Sequence, residues 1–318
     1  MKGRLKELTI PGENLSLSSY RSPPWWIGKI PILNSAWINP IFQRKYRTYN
    51  PRPMTGPFPP LLIGFFCSFL ISYGILGWGK NVPFYRIEDS GLYSVIIPTT
   101  LIGFVTFVRL LAPAMIISPL MVQSIFSRQT YGTMMVPIQE KNLFATASLA
   151  PVLCSHRVIE ESVRLMLGTI LGHVLYLSIS TYFFQAIADQ YTVFWEIWMN
   201  PMIIGLVLYL IAIFHIAPFL IAAATSAHSI ENPILVSDIF GLIRVFVQFI
   251  ISSIIAYVMA VFSFLLIDLI PFAYVDTFGL YLMVFIGGLF HLLSLFIALE
   301  LTLNAGAARI ARLRRDGK

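Results

Sequence analysis

Charged side chains are scarce in this sequence: Asp, Glu, Lys and Arg make up 12% of 318 residues, about half the share of a soluble domain. The two cysteines give no basis for a disulfide framework or a Cys-based metal site. The chain has no Gly-x-x-x-x-Gly-Lys-Ser/Thr loop, no Ser-His-Asp grouping and no His-Glu-x-x-His stretch. These absences argue against a soluble globule, a disulfide scaffold and an enzyme.

Long apolar runs fill most of the chain instead. Hydrophobic residues make up 57%, and the mean hydropathy is +0.76. Six runs are long enough to cross about 30 Å of hydrocarbon as helices. The sequence therefore predicts an all-α, polytopic integral membrane protein with six transmembrane helices, at Pro60 to Trp78, Tyr93 to Ile117, Leu165 to Ala186, Pro201 to Ala224, Val245 to Leu269 and Leu280 to Leu303.

The basic residues predict the orientation. Eighteen of the 22 Lys and Arg residues lie in three segments: nine in 1–59, four in 118–164 and five in 307–318. By the positive-inside rule both termini are cytoplasmic, in the plasma (inner) membrane of the cell. We expect a cytoplasmic or interfacial segment over 1–59, a membrane domain over 60–306 with a cytoplasmic linker over 118–164, and a basic tail over 307–318. With no cleavable signal before it, the first span acts as the anchor.

Bases spread over three juxtamembrane segments do not form the single footprint that binds a phosphate backbone, so nucleic-acid binding is not expected.

The residues before the first span predict a short helix from Pro40 to Tyr49 that lies on the inner leaflet. Its aromatic rings are Phe42, Tyr46 and Tyr49. The bases that would approach lipid phosphates are Arg44, Lys45 and Arg47. The alternative is the ordinary basic flank of an anchor.

A second helix is predicted in the linker, from Ser155 to Arg164. Arg157 precedes Glu161 by four residues, and Glu160 precedes Arg164 by four. Such pairs support an exposed helix by a few tenths of a kcal/mol each. A solvated helix that leads into the third span and a docking helix for a partner fit this pattern equally well.

Two stretches, Asn39 to Arg47 and Ser127 to Thr133, are similar to the connecting helix and the coupling segment of permease subunits from type-2 ATP-binding-cassette exporters. The resemblance implies a soluble ATPase subunit as partner, a second membrane protomer in a homo- or heterodimer, and no cofactor in this chain. The coupling residues that it implies, together with those of the helix predicted from Ser155 to Arg164, are Arg128, Gly132, Thr133, Pro137, Arg157 and Glu161. Glutamates are usual before the Gly-Thr pair of the family, and Arg128 stands there instead. A degenerate relative that scaffolds a membrane complex is therefore the second interpretation.

Three histidines, His173, His215 and His291, lie near the centres of the third, fourth and sixth spans. An ionisable group inside a membrane is costly and marks a candidate functional site. We interpret these imidazoles as neutral groups that hydrogen-bond between helices. The alternative is that they hold haem or a quinone in a subunit of a redox or photosynthetic membrane complex.

Arg109 in the second span has no acid within helical reach. It is expected to pair with Asp238 or Glu300 of another span, to extend to the interface, or to face a path for an anionic substrate. The Gly168 to Gly172 spacing in the third span predicts a close helix contact and does not name the partner.

Overall fold

The computed structural model describes residues 25–29, 34, 58–78, 92–126, 139–183, 201–231 and 275–315, and eight positions between 243 and 262. This part of the chain is helical and contains no strand. We number the helices α1 (Trp25–Lys29), α2 (Pro60–Trp78), α3 (92–126), α4 (Glu140–Cys154), α5 (His156–Phe183), α6 (201–231) and α7 (Val275–Arg315).

Three helices are long and apolar enough to cross a membrane, at Ser94–Gln123 in α3, Ile204–Ile230 in α6 and Leu282–Arg315 in α7. Helix α2 has the bounds that the sequence predicts for the first span. Helix α5 contains the predicted third span up to Phe183. Seven positions of the predicted fifth span are described, and they are helical and exposed; its other residues lie outside the described ranges. The protein is thus an α-helical membrane protein.

Prolines shape α3 and α6. Each is interrupted by a π-helical turn, Pro113–Ile117 in α3 and Ala212–Ile216 in α6, and α3 also begins with a π turn, Leu92–Ile96. A proline has no N–H and its ring crowds the carbonyl one turn earlier, so a regular ladder cannot pass through it. Inserting a π turn keeps each helix continuous across this break.

Helices α2 and α5 run in the same direction and pack very closely. A Cβ on Gly168 would overlap the carbonyl oxygen of Leu61, and one on Gly172 would overlap that of Phe65. Gly64 meets α5 at Leu165 in the same way. The predicted close contact at the glycine pair is confirmed, and its partner is α2.

Helices α3, α6 and α7 also lie parallel to one another. Gly103 of α3 contacts Phe214 of α6, and further along, Ala114 contacts Thr225. Gly205 of α6 meets Gly288 of α7 at a second close backbone contact. The carboxyl-terminal halves of all three helices therefore lie at one end of the bundle.

Helix α4, which lies within the predicted linker over 118–164, fills that end. Every residue from Leu143 to Ser155 is buried. The helix packs against 113–126 of α3, 217–231 of α6 and α7. Its 15 residues span about 22 Å, too short to cross a membrane. A helix that is buried on all sides forms core, so the middle of the linker is part of the core of the protein.

Candidate functional site

The buried α4, which we call the linker helix, is the candidate functional site. Phe144 is fully buried, and its ring lies against Gly306 of α7, where a Cβ would overlap it. The surrounding helices contribute mainly small or aliphatic side chains, such as Leu220 and Leu303, which are also fully buried. The linker helix is therefore held by close packing against parts of three long helices.

Charged side chains fix the start of the linker helix to α7. The Arg314 guanidinium donates to the Glu140 carboxylate at 2.7 Å, and the Lys141 ammonium donates to Glu300. The backbone N–H of Glu140 itself, and then Arg314, hold the pKa of the Glu140 carboxyl below its ordinary value. Both pairs are partly exposed, so they set the position of the helix more than they stabilise it.

A second arginine of α7 adds to these contacts between helices. Arg309 of α7 donates to the carbonyl of Ala227 near the end of α6. A cation near the carboxyl end of a helix interacts favourably with the helix dipole. The basic end of α7 thereby joins α6 as well as the linker helix, and two of the predicted tail bases, Arg309 and Arg314, have structural contacts.

The predicted coupling residues divide into two groups. Arg157 is half-buried and Glu161 is 5% exposed, both on α5. Glu160 and Arg164 approach at 3.9 Å, as their spacing predicts. The burial of Glu161 does not fit a fully solvated helix, because one face of this turn is covered by protein. The other coupling residues and the bases and rings of the predicted interfacial helix lie outside the described ranges: Arg128, Gly132, Thr133, Pro137, Phe42, Arg44, Lys45, Tyr46 and Arg47.

Two of the three histidines hydrogen-bond to serines of neighbouring helices. His173 Nδ1 lies 3.0 Å from Ser72 Oγ of α2, and His215 Nε2 lies 2.9 Å from Ser162 Oγ of α5. Both imidazoles are 3% exposed. Ser162 and His173 are eleven residues apart on α5, about 16 Å along its axis. His173 and His215 therefore lie at different depths and do not face each other as a pair of axial ligands.

The third histidine and the intramembrane arginine have different surroundings. His291 is 1% exposed, and its ring lies 5.2 Å from that of Tyr209 on α6. Arg109 is half-buried on α3. Of its two predicted partners, Glu300 pairs with Lys141, and Asp238 lies outside the described ranges.

Hydroxyl groups that compensate for prolines are the feature that sequence reasoning missed. In a regular helix the carbonyl of Ser94 would accept from residue 98, which is a proline. Ser68 of α2 donates to that carbonyl at 2.9 Å. The carbonyl of Ala114 similarly accepts from Thr225 of α6 at 3.1 Å. Proline positions reveal such carbonyls from sequence, but the neighbouring donor depends on which helices touch.

Fold and site together define a helical membrane protein with a linker helix enclosed by long apolar helices. No family model, curated protein or solved structure matches the chain.

Proposed function

We propose that this chain is the membrane-spanning permease subunit of an ATP-binding-cassette transporter in the plasma (inner) membrane, with cytoplasmic termini and six spans. A soluble ATPase subunit would hydrolyse ATP, and a second membrane protomer would complete the translocation path. The single observation that carries the proposal is the burial of the linker helix among three long helices.

The physical argument concerns transmission of force. Residues 127–138 precede the linker helix, and Ser127 to Thr133 among them resemble the coupling segment of the family. Close-packed interiors move as units rather than deform gradually. A displacement of the segment would therefore shift the linker helix and, with it, 113–126, 217–231 and α7. Such an arrangement suits a protein that converts an event at its cytoplasmic face into a rearrangement of its spans.

The histidine contacts support a packing role in this proposal. His173 and His215 each join two helices through a serine hydroxyl, which is how polar side chains hold membrane helices together. They would set the relative position of α2, α5 and α6 without taking part in transport chemistry.

A pull-down from native membranes in mild detergent tests the proposal. We expect the wild-type chain to recover a nucleotide-binding subunit, and a variant with Arg128→Glu and Arg157→Glu to recover less, with altered salt dependence. A variant with Arg312→Glu and Arg315→Glu changes the net charge equally at two exposed residues of α7 and should behave as wild type. Recovery of only integral membrane proteins by the wild-type chain contradicts the proposal. A recovered pigment would favour the redox-complex interpretation.

A further inference from the structure

We propose that the π turns Pro113–Ile117 of α3 and Ala212–Ile216 of α6 are a pair of hinges. Thr225 of α6 is the latch that holds the α3 turn to α6. Each turn is followed two residues later by a proline: Pro119 after the turn of α3 and Pro218 after that of α6. The hinges would let the end of the bundle that holds the linker helix move as one body. This inference does not depend on the identity of any partner.

The hydrogen bonds at the two turns show why these points are weak. The N–H of Ser118 donates to Pro113, and the N–H of Ala217 donates to Ala212, in both cases five residues back. The next residue in each helix is a proline and has no N–H. The carbonyls of Ala114 and Ile213 therefore lose their donors from within the helix. Helices bend most easily where the ladder is interrupted in this way.

The parts on either side of the hinges differ in packing. On one side, 118–126 and 217–231 enclose the linker helix, and all residues from Ala217 to Ala227 are buried. Helix α7 passes along both parts and contains no proline between 275 and 315. Because Arg314 binds it to the linker helix, α7 would move with the enclosed body as an uninterrupted helix while α3 and α6 bend.

Thr225 connects the two hinged helices at the level of the α3 turn. Its hydroxyl lies 3.1 Å from the carbonyl of Ala114 in α3 and 2.8 Å from that of Ile221 in its own helix. A hydroxyl has one proton and donates to one acceptor at a time. With the proton toward Ala114 the α3 turn is fixed to α6, and with the proton toward Ile221 the turn is released at little cost to α6.

Distances between spin labels test the hinge in a cysteine-free chain in lipid nanodiscs. Labels at Leu101 and Leu120 bracket the α3 turn, and labels at Leu289 and Ala308 lie on the uninterrupted α7; all four positions are exposed. Both pairs are nineteen residues apart, about 28 Å in a straight helix. We expect a broad or two-peaked distance distribution for α3 and a narrow one for α7. Equally narrow distributions would overturn the hinge.

Substitutions test the latch by the same measurement and by amide exchange of 113–119. Thr225→Val should broaden the α3 distribution and speed exchange by about tenfold, the order expected for one lost interhelical hydrogen bond, whereas Thr225→Ser should match wild type. Pro119→Ala supplies the missing N–H, so it should narrow the distance distribution of the α3 labels. In that background Thr225→Val should have little further effect on the distribution or on amide exchange. Wild-type behaviour of Thr225→Val, or no effect of Pro119→Ala, would refute the latch.

Discussion

Replacing Phe144 by Ala tests whether the linker helix is core. The ring is fully buried against α7, so its removal deletes apolar contacts and leaves a cavity. Large-to-small changes of this kind cost about 3–5 kcal/mol. At about 2–4 °C per kcal/mol for a chain of a few hundred residues, we expect the midpoint of thermal unfolding in detergent to fall by roughly 10 °C.

Two further variants make this measurement decisive. Phe66→Ala removes the same ring from a position that is 57% exposed on α2, and it should change the midpoint by no more than a few degrees. Gly306→Leu alone should destabilise, because a Cβ there overlaps the Phe144 ring. Combined with Phe144→Ala it should restore part of the lost stability, since the leucine enters the cavity. Additive losses in the double variant, or equal losses for Phe144→Ala and Phe66→Ala, would refute a buried linker helix.

Three other predictions follow from single contacts. Gly172→Leu should prevent α2 from packing on α5 and lower the yield of monodisperse protein in gel filtration, whereas Leu171→Ala on the exposed face should not. The pKa of the Glu140 carboxyl is lowered in the folded protein, so its pair with Arg314 contributes stability above the unfolded pKa of about 4.3. This stability is lost as the pH falls through the folded pKa. Glu140→Gln should therefore flatten the acidic part of a curve of unfolding free energy against pH, and an unchanged curve would count against the pair. Burial raises the pKa of the Cys154 thiol to about 12, so iodoacetamide at pH 8 should modify it only after unfolding; modification of the folded protein would contradict its burial.

Local patterns predicted much of the helical structure. Pro60 to Trp78 coincides with α2 because an apolar run of this length has one stable form in hydrocarbon, with every backbone group bonded inside the helix. Helices α3, α6 and α7 continue beyond Ile117, Ala224 and Leu303, where the predicted spans end, since hydropathy marks where lipid contact is favourable and not where the helix ends. Beyond these residues the helices continue because they pack on protein.

The partner of each contact was the part that sequence could not supply. Gly168 and Gly172 predicted a close approach, but any helix with an open backbone face satisfies that spacing. The same holds for His173, whose serine partner is 101 residues away in the chain. Pairwise hydrogen bonds between helices are set by crossing positions, which arise from the packing of the whole bundle.

The linker helix shows why hydropathy failed at the candidate site. Residues 140–154 contain Ala, Ser and Thr among their leucines, and they fall between two longer apolar runs. Such a composition resembles a mobile cytoplasmic connection when each segment is judged by its own transfer energy. Small side chains, however, let a helix pass close to several neighbours at once, and Thr146 and Ser148 donate to carbonyls of their own helix, so these two buried hydroxyls are bonded without water. The residues whose hydropathy is least suited to the membrane are therefore suited to the centre of the bundle, where one helix contacts three long neighbours.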